Sequence, residues 1–129
     1  MLKQLIDQLS LDLEEPLNAN HDGSYSLYFE PDLELSVREN IDLTISFFTV
    51  LSLLPEAKTE AFLLKMMVGN LFGRETGGSI LGLTKDGKKI TFLRFLPKDL
   101  DYKDFHDYLE DFLNYAEAWK IEATEFIKS

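Results

Sequence analysis

Leu2, Leu5, Ile6, Leu9 and Leu13 recur at spacings of three and four, with Asp7, Gln8, Asp12 and Glu14 among them. That period predicts an amphipathic first helix. Pro16 ends it, because the residue before a proline is pushed out of the α region. Asn18 to Gly23 reads as a polar turn, and then the period changes to two. Tyr25, Leu27 and Phe29 alternate with Ser24, Ser26, Tyr28 and Glu30. After a turn at Pro31-Asp32, Leu33, Leu35 and Val37 alternate with Glu34, Ser36 and Arg38. After another at Glu39-Asn40, Ile41, Leu43, Ile45 and Phe47 alternate with Asp42, Thr44, Ser46 and Phe48. Three such runs joined by short turns predict an antiparallel meander.

Pro55-Glu56 opens a different pattern. Residues 57–72 are rich in Leu, Met, Ala, Phe and Lys, and their apolar members nearly surround a helical axis. A helix of that kind needs cover on more than one side; the sheet supplies one cover, and a second copy of the chain could supply the other. Gly73 is the expected C′ residue. Gly77-Gly78 reads as a flexible joint. Runs at 79–84 and 89–96 flank Lys85-Asp86-Gly87-Lys88, where Asp-Gly predicts a hairpin, and Pro97 ends the second run. Phe105, Leu109, Phe112, Ala116, Trp119, Ala123 and Phe126 then mark a long final helix, with Asp99, Asp101 and Asp104 at the end where its dipole favours acids. The reading is a single α+β domain over residues 1–129, ordered α-β-β-β-α-β-β-α, with a twisted, mainly antiparallel sheet packed by helices.

Composition narrows the classes. The chain has 129 residues, 45% of them hydrophobic, with ten Phe, five Tyr and one Trp, so a core is affordable in a single domain. A net charge of −10 disfavours nucleic acid and anionic membranes and suits a partner with a basic segment. There is no cysteine, which excludes disulfides and thiolate metal sites. The start, Met1 to Asp7, lacks a secretory pattern, and the most apolar run, 47–55, is too short to span a bilayer. Together these features read as a cytoplasmic protein.

Candidate chemistry is sparse. His21 falls in a polar turn and His106 in the first turns of the last helix, neither beside a nucleophile or a ligand cluster. Asp99, Asp101, Asp104, Asp107 and Asp111 lack the glycine and closing glutamate of a calcium loop, and read as a solvated helix face. Residues 73–79 have the glycines of a phosphate loop but not its lysine, and run helix-to-strand instead of strand-to-helix. The expectation is no enzyme, no metal and no cofactor. Surface shape is what remains. Tyr28, Phe48 and Val50 fall on strand faces that otherwise carry Ser, Thr and Glu. They read either as partly buried under the first helix or a second subunit, or as an exposed apolar groove for another protein. The outer edge of the meander could also accept a strand from another chain.

A set of residues spread along the second half carries a resemblance. Leu54-Pro55, Leu64, Asn70-Leu71-Phe72-Gly73, Thr76-Gly77-Gly78 and Leu81-Gly82-Leu83 are followed by Asp86-Gly87, Leu93-Arg94-Phe95-Leu96-Pro97, Phe112, Ala116-Glu117 and Trp119. In residues and spacing this resembles the class I chaperones of bacterial type III secretion, the CesT/SycE-like (Tir chaperone) family. The match is weakest over residues 18–40.

The resemblance implies a cytoplasmic bacterial homodimer. Such a dimer binds the N-terminal region of a secreted effector in largely extended form, keeps it soluble and secretion-competent, and delivers it to the secretion apparatus. On that basis Leu5, Leu9, Tyr28, Phe48 and Val50 are expected at the effector contact, and Phe62, Met66, Met67 and Leu83 at the dimer contact. The alternative is a small dimeric adaptor or ligand-binding domain with the same fold and no role in secretion.

Overall fold

The computed structural model describes residues 1–29 and 32–128. Its elements follow the expected order: α1 (Leu2–Leu13), β1 (Tyr25–Phe29), β2 (Leu33–Glu39), β3 (Ile45–Leu53), α2 (Thr59–Asn70), β4 (Ile80–Leu83), β5 (Lys89–Leu96) and α3 (Tyr102–Lys128). A single 3-10 turn, Leu71–Gly73, follows α2. Of the expected turn at Pro31-Asp32, Pro31 lies outside the described residues, as does the neighbouring Glu30.

The strands form one sheet in the order β1-β2-β3-β5-β4, with every pairing antiparallel. The chain leaves β3 through α2, lays down β4 as an edge, and returns as β5 between β4 and β3. Alternation assigns the faces. Leu27, Leu35, Phe47, Ile90 and Phe92 turn toward the helices and are buried. Thr49 keeps this phase in a core position, where its own hydroxyl is satisfied by donating to the Glu34 carbonyl at 2.7 Å.

α3 supplies the long side of the core. Phe105, Leu109, Phe112, Ala116, Trp119 and Ala123 form one buried stripe at spacings of four and three. Phe112 lies between two sheet rings, 5.4 Å from Phe47 and 5.2 Å from Phe92. Burial of each such ring contributes roughly 1.5–3 kcal/mol. The helix starts where Asp101 Oδ1 accepts the Asp104 amide at 2.8 Å, a side-chain cap on a free N–H. α1 packs against α3 with Leu2, Leu5, Ile6 and Leu9 inward. It closes at Glu14, which takes a left-handed conformation (φ 53°), so Leu13 falls outside the buried stripe and Pro16 lies beyond the end.

Two elements are shorter than expected. Alternation predicts a strand from Ile41, but β3 starts at Ile45. Residues 40–44 are a turn: the Asn40 amide donates to the Thr44 carbonyl at 2.8 Å, and Asp42 Oδ1 accepts both the amide and the hydroxyl of Thr44. Leu43 sits at φ 68° and Ile41 is fully exposed. The second helix, expected over 57–72, runs from Thr59 to Asn70. Lys58 precedes it at φ 57°, and Phe72 breaks it at φ 59°. Gly73 therefore closes the 3-10 turn and not the α-helix. The Asp86-Gly87 hairpin stands as expected, with Gly87 at φ 74°.

Candidate functional site: two uncovered apolar surfaces

All three helices contribute to the core on one face of the sheet. The opposite face has no helix over it among the described residues, and apolar side chains stand on it among Ser26, Glu34, Ser36, Arg38, Ser46 and Thr91. Ser36, Phe48, Leu93 and Ile80 stand opposite one another across β2, β3, β5 and β4. One row along, Val50 faces Thr91, and on the other side Ser46 faces Phe95. Phe48 is 39% exposed, Val50 40%, Phe95 55% and, on the edge strand β1, Tyr28 73%. β1 pairs on one side only, so its outer backbone groups border this face. At the ends of β3 lie two open clefts. One, of about 710 Å³, is lined by Leu53, Leu54, Pro55, Ala57 and Gly87. The other, of about 610 Å³, lies between the 40–44 turn and Phe95.

The second surface is the outward side of α2 with the β4 edge beside it. Phe62, Met66 and Gly69 face inward, at spacings of four and three. Phe62 packs edge-on against Trp119 and Phe126 of α3. At Gly69 the helix touches the indole: a Cβ there would lie 2.5 Å from a Trp119 ring carbon. Leu63 also packs against the core, whereas Leu64, Met67 and Val68 of the helix and Leu71 of the 3-10 turn are exposed. Asn70 ties α2 to β4 by donating to the Leu81 carbonyl at 2.9 Å and accepting its amide at 2.7 Å.

The structure splits each expected contact set. Tyr28, Phe48 and Val50 lie on the uncovered face, whereas Leu5 and Leu9 are buried between α1 and the core. As α1 packs here, both leucines are covered by their own chain. Met67 and Leu83 are exposed at the second surface, whereas Phe62 and Met66 are buried. Both of these side chains are packed within their own chain. Phe95 and Ile80, exposed on the uncovered face, belong to neither expected set. The strand alternation signals Phe95, because Ile90, Phe92 and Leu96 take the inner side.

Several polar groups are engaged by close neighbours. His106 Nδ1 lies 3.4 Å from Glu110 one turn on. Asp22, Asp42 and Asp86 each bond a nearby hydroxyl, of Ser24, Thr44 and Thr84, and these bonds hold them below the usual carboxylate range. Burial first, and then its bond to Asp12, pushes Tyr102 up to about 12. Among the described residues no group of three His, Asp or Glu is arranged to hold a metal, and no helix is long and apolar enough to cross a membrane. What the two surfaces can do is bury apolar area against another polypeptide.

Known proteins with the same pattern agree on the fold. A protein of Chlamydia pneumoniae is 38% identical over 122 residues, spanning 92% of this chain and 93% of its own. Among solved structures, a chain of the ExsC–ExsE complex superposes with a TM-score of 0.80 at 14% identity, over 95% of this chain and 92% of that one. A chain of the HopA1–SchA chaperone–effector complex gives 0.76 at 18%, over 92% of each. The Yersinia pestis type III secretion chaperone SycH, in complex with a stable fragment of YscM2, gives 0.70 at 16%, over 89% and 96%. The model of the Tir chaperone protein (CesT) family matches residues 1–120, and the chain belongs to that family.

Proposed function

We propose that this protein is a non-enzymatic chaperone of bacterial type III secretion. It binds the N-terminal segment of a secreted effector and keeps it soluble and competent for export. The observation that carries this reading is the uncovered sheet face, with Tyr28, Phe48, Val50 and Phe95 exposed on a chain of this family. An extended segment lying there gains apolar burial from alternate side chains, and the free edge of β1 offers it backbone hydrogen bonds. Ordering such a segment costs conformational entropy, so the contact has to be long. Two of the similar structures are described as a chaperone–effector complex and as a secretion chaperone with a bound fragment, which supports the same use of this fold.

The protein acts as a homodimer in the bacterial cytoplasm. Met67 and Leu83 lie in the self-association surface along α2 and β4, and components of the secretion apparatus receive the loaded complex. The test is co-expression with the N-terminal segment of the large secreted protein expected to be encoded beside it. The two should co-elute, and Phe48→Asp should release the segment while leaving the chaperone folded. Full binding by the Phe48→Asp protein would overturn the proposed site.

A further inference from the structure

Phe72 shares with Lys58, at the other end of α2, a left-handed backbone. It sits at φ 59°, ψ 12°, inside the 3-10 turn, and its side chain is 89% exposed. An L-residue takes the left-handed conformation at a cost, and this ring recovers little of it from packing within its own chain. The strain persists because the following segment is gripped from behind. Arg94 Nη1 donates to the Gly77 carbonyl, and its guanidinium lies 4.8 Å from the centroid of the Tyr108 ring. Trp119 Nε1 donates to the Glu75 carbonyl at 2.9 Å. The buried Thr76 hydroxyl donates to the Ser79 carbonyl at 2.6 Å, and the Gly78 amide to the Gly73 carbonyl at 3.0 Å. The Tyr115 ring fills the space behind Gly77, where any Cβ would overlap it. With the Asn70 tie to Leu81 on the other side, the turn has little freedom to relax.

We infer that Phe72 is the preset anchor of the self-association surface, and that Arg94 is a positioning residue that holds it in place. This rests on the homodimer proposed above. The occupant is a second copy of the chain, and the area supports it. Leu64, Met67, Val68, Leu71, Phe72 and Leu83 are between 40% and 89% exposed. Together they present roughly 700 Å², close to the ~800 Å² per partner of a standard stable interface. Aromatic anchors dominate such contacts, and one already fixed in its bound conformation loses less freedom on association.

The test uses the chain itself, with its dimer Kd measured by sedimentation equilibrium. Phe72→Gly should raise Kd by ~30-fold or more, the scale of an interface hot spot. The thermal stability of the monomer should hold or rise, because glycine is at ease at positive φ. Arg94→Met should raise Kd by about tenfold in the wild-type background and leave it unchanged in the Phe72→Gly background, since residues acting through one another are not additive. If Arg94→Met does not fold, Tyr108→Leu removes the ring beneath the guanidinium and should follow the same non-additive pattern. A wild-type chain that stays monomeric would sink the dimer reading and this inference with it. A dimer that tolerates Phe72→Gly would overturn the anchor alone. Full additivity of the two substitutions would overturn the role given to Arg94.

Discussion

Phe47 and Phe48 are neighbours in the chain and lie on opposite sides of β3, so truncating each to alanine separates the core from the uncovered face. Phe47 is fully buried, with the ring of Phe105 at 5.7 Å and that of Phe112 at 5.4 Å. Phe47→Ala therefore loses transfer energy, leaves a cavity and strips two aromatic pairs, for a cost of about 4–5 kcal/mol. Phe48 is already 39% exposed and stands between Ser36 and Leu93 on a face with no helix over it. Phe48→Ala should cost about 1 kcal/mol or less. The assay is urea unfolding followed by the fluorescence of Trp119, the one tryptophan of the chain. It is run at several protein concentrations so that self-association is separated from folding. With a slope of about 2 kcal/mol per molar urea, the midpoint falls by about 2 M for Phe47→Ala and by about 0.5 M or less for Phe48→Ala. Equal shifts for the two variants would refute the assignment of the faces, and with it the uncovered surface.

Other substitutions probe the rest of the account. Asp101→Ala removes the cap of α3 and should cost about 1 kcal/mol in the same urea titration, whereas Asp101→Asn should cost little. Gly69→Ala drives a methyl group into the rigid Trp119 ring and should destabilise by about 1–3 kcal/mol, with a change in Trp119 emission. Tyr102 holds its proton up to about pH 12 in the folded chain, against about 10 when unfolded. The folded state therefore binds more protons across that window. Its contribution is complete below pH 10 and is lost as pH rises toward 12. Absorbance titration should show one tyrosine ionising late, and Tyr102→Phe should remove that part of the alkaline destabilisation.

Much of this fold is legible because burial on one face imposes a period. The stripe from Phe105 to Ala123 predicts α3, and the alternation in 25–29 and 33–37 predicts two strands. Alternation misleads at Ile41 and Leu43, where apolar residues continue the strand pattern into a turn. A signal was present. Asn40-Ile41-Asp42-Leu43-Thr44 repeats the order of Asn20-His21-Asp22-Gly23-Ser24, and in both segments the Asn amide donates to the hydroxyl, which itself donates to the Asp carboxylate. Gly23 makes the first turn visible, whereas Leu43 in the same left-handed conformation hides the second.

Which side chains stay exposed on the candidate surfaces is hidden from the sequence for a related reason. An amphipathic stripe such as Leu5 and Leu9 reports that a side chain needs cover, not whether its own chain or a partner supplies it. The same holds for Phe62 and Met66 on a helix that is apolar all round. Only the packing of Trp119 and Phe126 against Phe62 decides which side of α2 turns inward. Phe72 carries no sequence sign of its backbone strain, because that arises from contacts made by residues of β5 and α3 far along the chain.

The central claim, that the uncovered sheet face holds a secreted protein, is tested most directly by photo-crosslinking in the bacterium. A photoreactive phenylalanine analogue is placed at position 48 and, as a control on the opposite side of the molecule, at the exposed Lys103. The account predicts an adduct from position 48, mapped by mass spectrometry to the N-terminal segment of a type III secreted protein, and none from position 103. Adducts only with a second copy of the chain, or equal adducts from both positions, would contradict it.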